Sequence, residues 1–234
     1  MNVLGYVSKI SFCLSLLGVF TTVHAATTPF TENFIADVAD WGDAGSLPLT
    51  FVGAGGPDGS SYASTNFSFS SGGGSGGSSA VLFRGHDEFG SSGSSGGAFE
   101  GNWISDGVEK VKAFVRHNAP LPLSYFTRGS GPFNFPGAVA VSFAPVMPNV
   151  WTELTFDVTA SSFQLVSYEG SDHGTVFSNV GHLQFGVSIP EGFGANPASF
   201  TFDLDKVSIV PEPTTALLAG LALSICCVRG RRRV

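Results

Sequence analysis

The chain has 234 residues, 31 of them glycine and 22 phenylalanine, with 18 acidic against 11 basic side chains, four of the latter crowded into the last six positions. Between residues 26 and 206 the balance is 17 acids to six bases, a net of −11, which speaks against nucleic acid as a partner, because binding it depends on neutralising phosphates with cations. Divalent cations or neutral sugars suit such a surface better, and net charge also serves solubility alone.

Residues 1–25 hold a single Lys9, an apolar stretch from Ile10 to Phe20, and Val23-His24-Ala25 ahead of Ala26. That is the pattern of a secretory signal peptide, and cleavage by signal peptidase is expected between Ala25 and Ala26. The apolar run is short for an anchor, since crossing about 30 Å of hydrocarbon takes roughly 20 residues. Cys13 lies in this segment and Cys226 and Cys227 lie near the C-terminus. The exported part, residues 26–209, therefore has no cysteine and must be stabilised by its core alone, as one domain.

Short runs rich in Val, Phe and Thr follow, separated by Gly, Ser, Pro and Asn: Leu47 to Val52, Tyr62 to Phe69, Ala80 to Phe83, Val111 to Val115, Ala138 to Phe143, Trp151 to Val158, Leu183 to Ile189 and Phe200 to Val210. This spacing predicts an all-β antiparallel sandwich or barrel and no βαβ units. The apolar phase changes near Asp205 and Lys206, which predicts a bulge. No helix is expected before the C-terminal segment.

Two Gly/Ser tracts, Ser70 to Ser79 and Gly90 to Gly97, contain few apolar groups and are expected to be surface loops. They contain matches to G-x-S-x-G and G-x-G-x-x-G, but lack the strand before and helix after that either motif requires.

Chemistry-bearing residues are sparse. His86, His117, His173 and His182 have no zinc-ligand spacing. Trp41 and Trp103 are candidate stacking platforms for a sugar ring, with Tyr62, Tyr125 and Tyr168, although each tryptophan can equally close a sandwich core; Trp151 is assigned to the core. His86-Asp87-Glu88 with Glu100 offers carboxylates for glycoside cleavage, which needs two acids about 5 to 10 Å apart.

Pro148 to Asp157, His182-Leu183-Gln184-Phe185-Gly186 and Phe202-Asp203-Leu204-Asp205-Lys206-Val207 are similar to the closing strands of galactose-binding-like jelly rolls, a fold common among carbohydrate-binding modules. Phe30-Thr31-Glu32-Asn33-Phe34 resembles their first strand, which pairs with the last. The resemblance implies a jelly-roll type antiparallel β-sandwich. If those strands meet, Glu32, Asp203 and Asp205 can supply oxygens to a structural calcium ion; the alternative is solvent-facing acids at a sheet edge.

The chain closes with Val210-Pro211-Glu212-Pro213, an apolar run over 214–228, and Arg229, Arg231, Arg232 and Arg233. Proline pair, lipid-compatible span and terminal cations form a membrane signal in that order. The positive-inside tendency then leaves the preceding domain outside. This tail resembles the PEP-CTERM sorting signal, which spans residues 210–234 here. The resemblance implies an exosortase as partner, recognition at Pro211, Glu212 and Pro213, and an inner-membrane stage before release to the cell surface or extracellular matrix. The whole sequence reads as an exported, non-catalytic surface or matrix protein with exopolysaccharide as candidate ligand. The alternatives are a structural matrix component without a specific ligand and, third, a glycoside hydrolase.

Overall fold

The computed structural model describes residues 25–72, 78–85 and 93–211. They form eleven strands: β1 (Phe30–Glu32), β2 (Thr50–Val52), β3 (Tyr62–Ser68), β4 (Ser79–Arg84), β5 (Val108–His117), β6 (Tyr125–Ser130), β7 (Gly137–Val141), β8 (Thr152–Asp157), β9 (Leu165–Ser167), β10 (His182–Ser188) and β11 (Ser199–Pro211). One short helix, α1 (His173–Phe177), was not expected. Asp172 caps it by accepting from the Thr175 N–H at 2.9 Å.

Two antiparallel sheets pack as a β-sandwich. The first has the order β2-β3-β11-β5-β8, with β1 also on β11; the second has the order β4-β10-β6-β7-β9. From β3 to β6 the chain changes sheet at every step, whereas β2 and β3, and β6 and β7, are consecutive antiparallel neighbours within one sheet. β1 does pair with the last strand, Phe30 to Glu32 opposite Ile209 to Val207.

The core is aromatic because every strand turns alternate residues inward. Phe34, Trp41, Phe156, Phe185 and Phe202 are fully buried. Trp41 meets Phe34 and Phe99 edge-on at 6.0 and 5.7 Å and stacks near Phe185 at 6.3 Å, arrangements that favour the aromatic quadrupoles. The expected bulge is present: Lys206 has φ +48° and the register between β11 and β5 shifts between Asp205 and Ser208.

The second Gly/Ser tract departs from the expected solvent loop at its end. Ser94 to Gly97 form a 3-10 turn packed on the core, where Ser94 Oγ donates to the Asp40 carbonyl at 2.7 Å and Ser95 Oγ accepts from Trp41 Nε1 at 3.0 Å. A hydroxyl that satisfies a buried indole explains why this stretch orders without apolar side chains.

At the expected cleavage point Ala25 is exposed and Ala26 is buried, with its N–H donating to Asp106 Oδ2 at 2.8 Å. Residues 1–24, the sorting-signal residues Glu212, Pro213, Arg229, Arg231, Arg232 and Arg233, and the span 214–228 lie outside the described residues. Among the described residues no helix is long and apolar enough to cross a membrane.

Candidate functional site

The outer face of the β4-β10-β6-β7-β9 sheet carries a constellation of polar side chains along an open groove. Residues directly opposite on antiparallel strands share a face. Register therefore places Arg84, Gln184, Arg128, Val139 and Ser167 in one line across all five strands. The next outward-facing line is Val81, Gly186, Phe126 and Val141. A polar row thus lies beside an apolar one, along a groove of ≈ 440 Å³ that also touches Ser79, Asn134, Glu169 and Ser188.

The polar row is organised around Arg128. Its Nε and Nη2 donate to Glu169 Oε1 and Oε2 at 2.6 and 2.7 Å, a bidentate pair of the kind that fixes both geometry and charge. Its Nη1 donates to Asn134 Oδ1 at 2.7 Å and Gln184 Oε1 at 3.2 Å, and Gln184 Nε2 donates to the same Asn134 oxygen at 3.2 Å. The bond from Arg128 holds the Glu169 carboxyl below the usual carboxylate range. His182, buried one row away with its Nε2 on the Pro132 carbonyl at 2.8 Å, is pushed below the ordinary imidazole value by burial and also by the charges of Arg128 and Arg84.

Local backbone conformation builds this site. Asn134 has φ +59°, a left-handed position asparagine tolerates in the β6–β7 turn, and Glu169 has φ +51°, which glutamate adopts at a cost of order 1–3 kcal/mol. Gly186 lets the Phe126 ring lie across it, since a Cβ there would stand 2.3 Å from Phe126 Cζ and from the Ala80 carbonyl oxygen. Phe133, 94% exposed, and Phe135 flank the groove residue Asn134 in the chain. A second exposed aromatic pair, Phe143 and Phe163, stacks at 5.6 Å and 16° beyond the ends of β7 and β9.

The tryptophans singled out in the sequence lie elsewhere. Trp41 is 0% and Trp103 1% exposed, so neither presents a ring face to a ligand. Trp103 stacks on Phe177 at 5.7 Å and donates to the Phe99 carbonyl at 2.8 Å. The competing demand of core filling won at both positions. Trp151 is corrected in the opposite sense. It is half-buried on the outer face of the other sheet, where the Arg116 guanidinium lies 4.6 Å from its ring centroid and Tyr62 meets it edge-on at 5.3 Å.

Asp203 and Asp205 do share an outer face, but not as a trio with Glu32. Asp203 accepts from Ser64 Oγ at 2.7 Å and Arg116 Nε at 2.8 Å. Asp205 accepts from Ser60 Oγ at 2.8 Å and the Lys206 N–H at 2.7 Å, with Lys206 also ion-paired to Asp58. Asp205 therefore pins the 53–61 loop to the sheet, and Asp203 ties β11 to its two neighbours β3 and β5. Glu32 accepts from the Phe34 N–H at 2.8 Å. Among the described residues no group of three or more His, Cys, Asp or Glu is placed to hold a metal ion. His86, Asp87 and Glu88 lie outside the described residues.

No family model matches this chain, and no curated protein does. Among solved structures it is similar to the family 11 carbohydrate-binding module from Clostridium thermocellum in complex with a β-1,3-1,4-mixed-linked tetrasaccharide, at 9% identity over 80% of this chain and 98% of that one, TM-score 0.42. It is similar to the CBM22-1 xylan-binding domain from Paenibacillus barcinonensis at 13% identity, covering 80% and 97%, TM-score 0.41. It is also similar to the CBM22-1 and GH10 modules of Clostridium thermocellum xylanase 10B complexed with xylohexaose, at 16% identity and TM-score 0.45, covering 78% of this chain but 28% of that one.

Proposed function

We propose that residues 26–209 form a non-catalytic polysaccharide-binding domain of jelly-roll type. The strand order supports the jelly-roll assignment: from β3 onward, leaving out the short β9, the eight main strands alternate in the order 1-8-3-6 on one sheet and 2-7-4-5 on the other. The observation that carries the functional reading is the groove in which a polar row (Arg84, Gln184, Arg128) lies beside an apolar row (Val81, Phe126, Val141). A pyranose has the same two-sided chemistry, equatorial hydroxyls at its edge and C–H groups on its faces. Phe133 and Phe135, on either side of the groove residue Asn134 in the chain, have the exposed rings that Trp41 and Trp103 lack.

The acids of the groove support the non-catalytic reading. Glu169 is the one carboxylate lining the groove among the described residues, and it is tied to Arg128, whereas glycoside cleavage uses two acids. Export and exosortase-directed sorting belong to the same proposal and rest on the sequence of residues 1–25 and 210–234.

Affinity electrophoresis of the full chain through gels containing individual polysaccharides tests the reading. Retardation by at least one polymer is expected, lost in Gln184→Ala at a temperature where this variant, which gives up a buried side chain bonded to Arg128 and Asn134, is still folded, and weakened in Phe133→Ala with melting unchanged. Retardation that survives Gln184→Ala places the ligand elsewhere.

A further inference from the structure

We propose that the groove selects an anionic polysaccharide, with the Arg84 guanidinium taking a uronate carboxylate and the Arg128–Glu169 pair reading uncharged hydroxyls. The inference rests on the groove being a polysaccharide site and names the class of polymer.

Charge pairing sets Arg84 apart. Of the six basic residues between 26 and 206, Lys112, Arg116, Arg128 and Lys206 each form an ion pair with an acid. Lys110 is exposed to solvent. Arg84 is half-buried in the groove wall, its Nε is buried without an acceptor, and none of the ion pairs among the described residues includes it. The buried Nε is out of a polymer's reach, so an acceptor arriving through the groove that Arg84 lines meets the terminal nitrogens of its guanidinium. The guanidinium fork matches a planar carboxylate in two parallel hydrogen bonds.

The local field has the same sign. The groove lining has two arginines against one glutamate, in a segment whose net charge is −11. An acidic domain that gathers a third of its cations into one depression concentrates attraction for anions there. Burial and the charges of both arginines lower the pKa of His182, consistent with a positive field at the groove floor.

Spacing completes the argument. Arg84 and Arg128 are separated by the single strand that carries Gln184, about 10 Å at two strand spacings, the scale of a disaccharide. One sugar unit then meets Arg84 while its neighbour meets the Arg128, Gln184 and Asn134 cluster, with Val81 and Phe126 under the ring faces.

The test uses the full chain and matched polymers: polygalacturonate, polyglucuronate and alginate, each beside its carboxyl-reduced form, with xylan and mixed-linkage β-glucan as neutral polymers and dextran sulfate as a non-uronate anion. At least one uronate polymer is expected to bind about 10- to 100-fold more tightly than its reduced form. Arg84→Gln is expected to erase that difference, Arg84→Lys to restore part of it, and Gln184→Ala to weaken both forms. Equal binding of acidic and reduced polymers, or binding only to neutral ones, overturns the inference and leaves the groove reading intact. Dextran sulfate binding as tightly as every uronate polymer, with Arg84→Gln without effect, reduces the attraction to general charge and also overturns it. Retention by none of the polymers overturns the groove reading itself.

Discussion

Arg128 and Glu169 meet fork to fork, 2.6 and 2.7 Å apart, with the arginine side chain only 12% exposed and the acid in a turn at φ +51°. The pair fixes the guanidinium so that its remaining donor holds Asn134 and Gln184 in line. Glu169→Gln would leave a half-buried cation without its counter-charge. It is expected to destabilise the domain by about 1–3 kcal/mol and to weaken polysaccharide retention, as read from a denaturant midpoint and a gel shift on the same sample. Unchanged stability would mean that the pair contributes no more than an exposed one.

Gly186→Ala tests the apolar row. A Cβ at this position meets the Ala80 carbonyl oxygen and the Phe126 ring at 2.3 Å, so backbone or ring must move. The expected loss is about 1–3 kcal/mol, with a shifted environment for Phe126 visible in aromatic resonances. A variant as stable as the parent would show that the two strands are less closely apposed.

Truncating Trp41 or Trp103 to alanine removes a fully buried ring and is expected to cost about 3–5 kcal/mol, enough to unfold much of the population before binding can be measured. Phe133→Ala, at a side chain almost entirely in solvent, should change melting little and affect binding directly. The two outcomes reverse if a tryptophan, not this loop, contacts the ligand.

His117 and His182 make stability pH-dependent. Burial is the leading cause that holds both imidazoles below their ordinary value of 6.5. A folded pKa below the unfolded one means that the unfolded chain takes up the proton first. The stabilisation is thus complete above about pH 6.5 and is lost as pH falls through that value towards the folded pKa. Melting temperature should fall between pH 7.5 and 6, and His117→Gln should flatten the decline. A flat profile in the parent would contradict the buried neutral rings.

Much of the sandwich is legible in the sequence because its strands alternate: Phe202 and Leu204 point inward while Asp203 and Asp205 point outward, and the phase change after Asp205 marks the bulge. β6 is not legible in this way. Its segment Tyr125 to Ser130 is buried on both faces, with Phe126 covered in the groove and Tyr125 in the core, so polarity does not alternate. Arg128 sits in this strand, and Glu169 and Asn134 reach it across 41 and six residues of chain. Sequence spacing does not reveal such a meeting. The available signal was an arginine in a segment otherwise without charge, which needs a partner when half-buried. The tryptophans misled for a related reason, since ring chemistry is the same in a core and on a platform, and only the three-dimensional surroundings separate the two.

The most direct test of the central claim is affinity electrophoresis of the full chain beside its Gln184→Ala variant in gels carrying the neutral and uronate polysaccharides. The account predicts that at least one polymer retards the parent and that Gln184→Ala, run at a temperature where it is still folded, loses the retardation although its melting temperature is lowered by the loss of a buried, hydrogen-bonded side chain. Equal retardation of parent and variant, or free migration of the parent in every gel, would contradict a polysaccharide site on this sheet face.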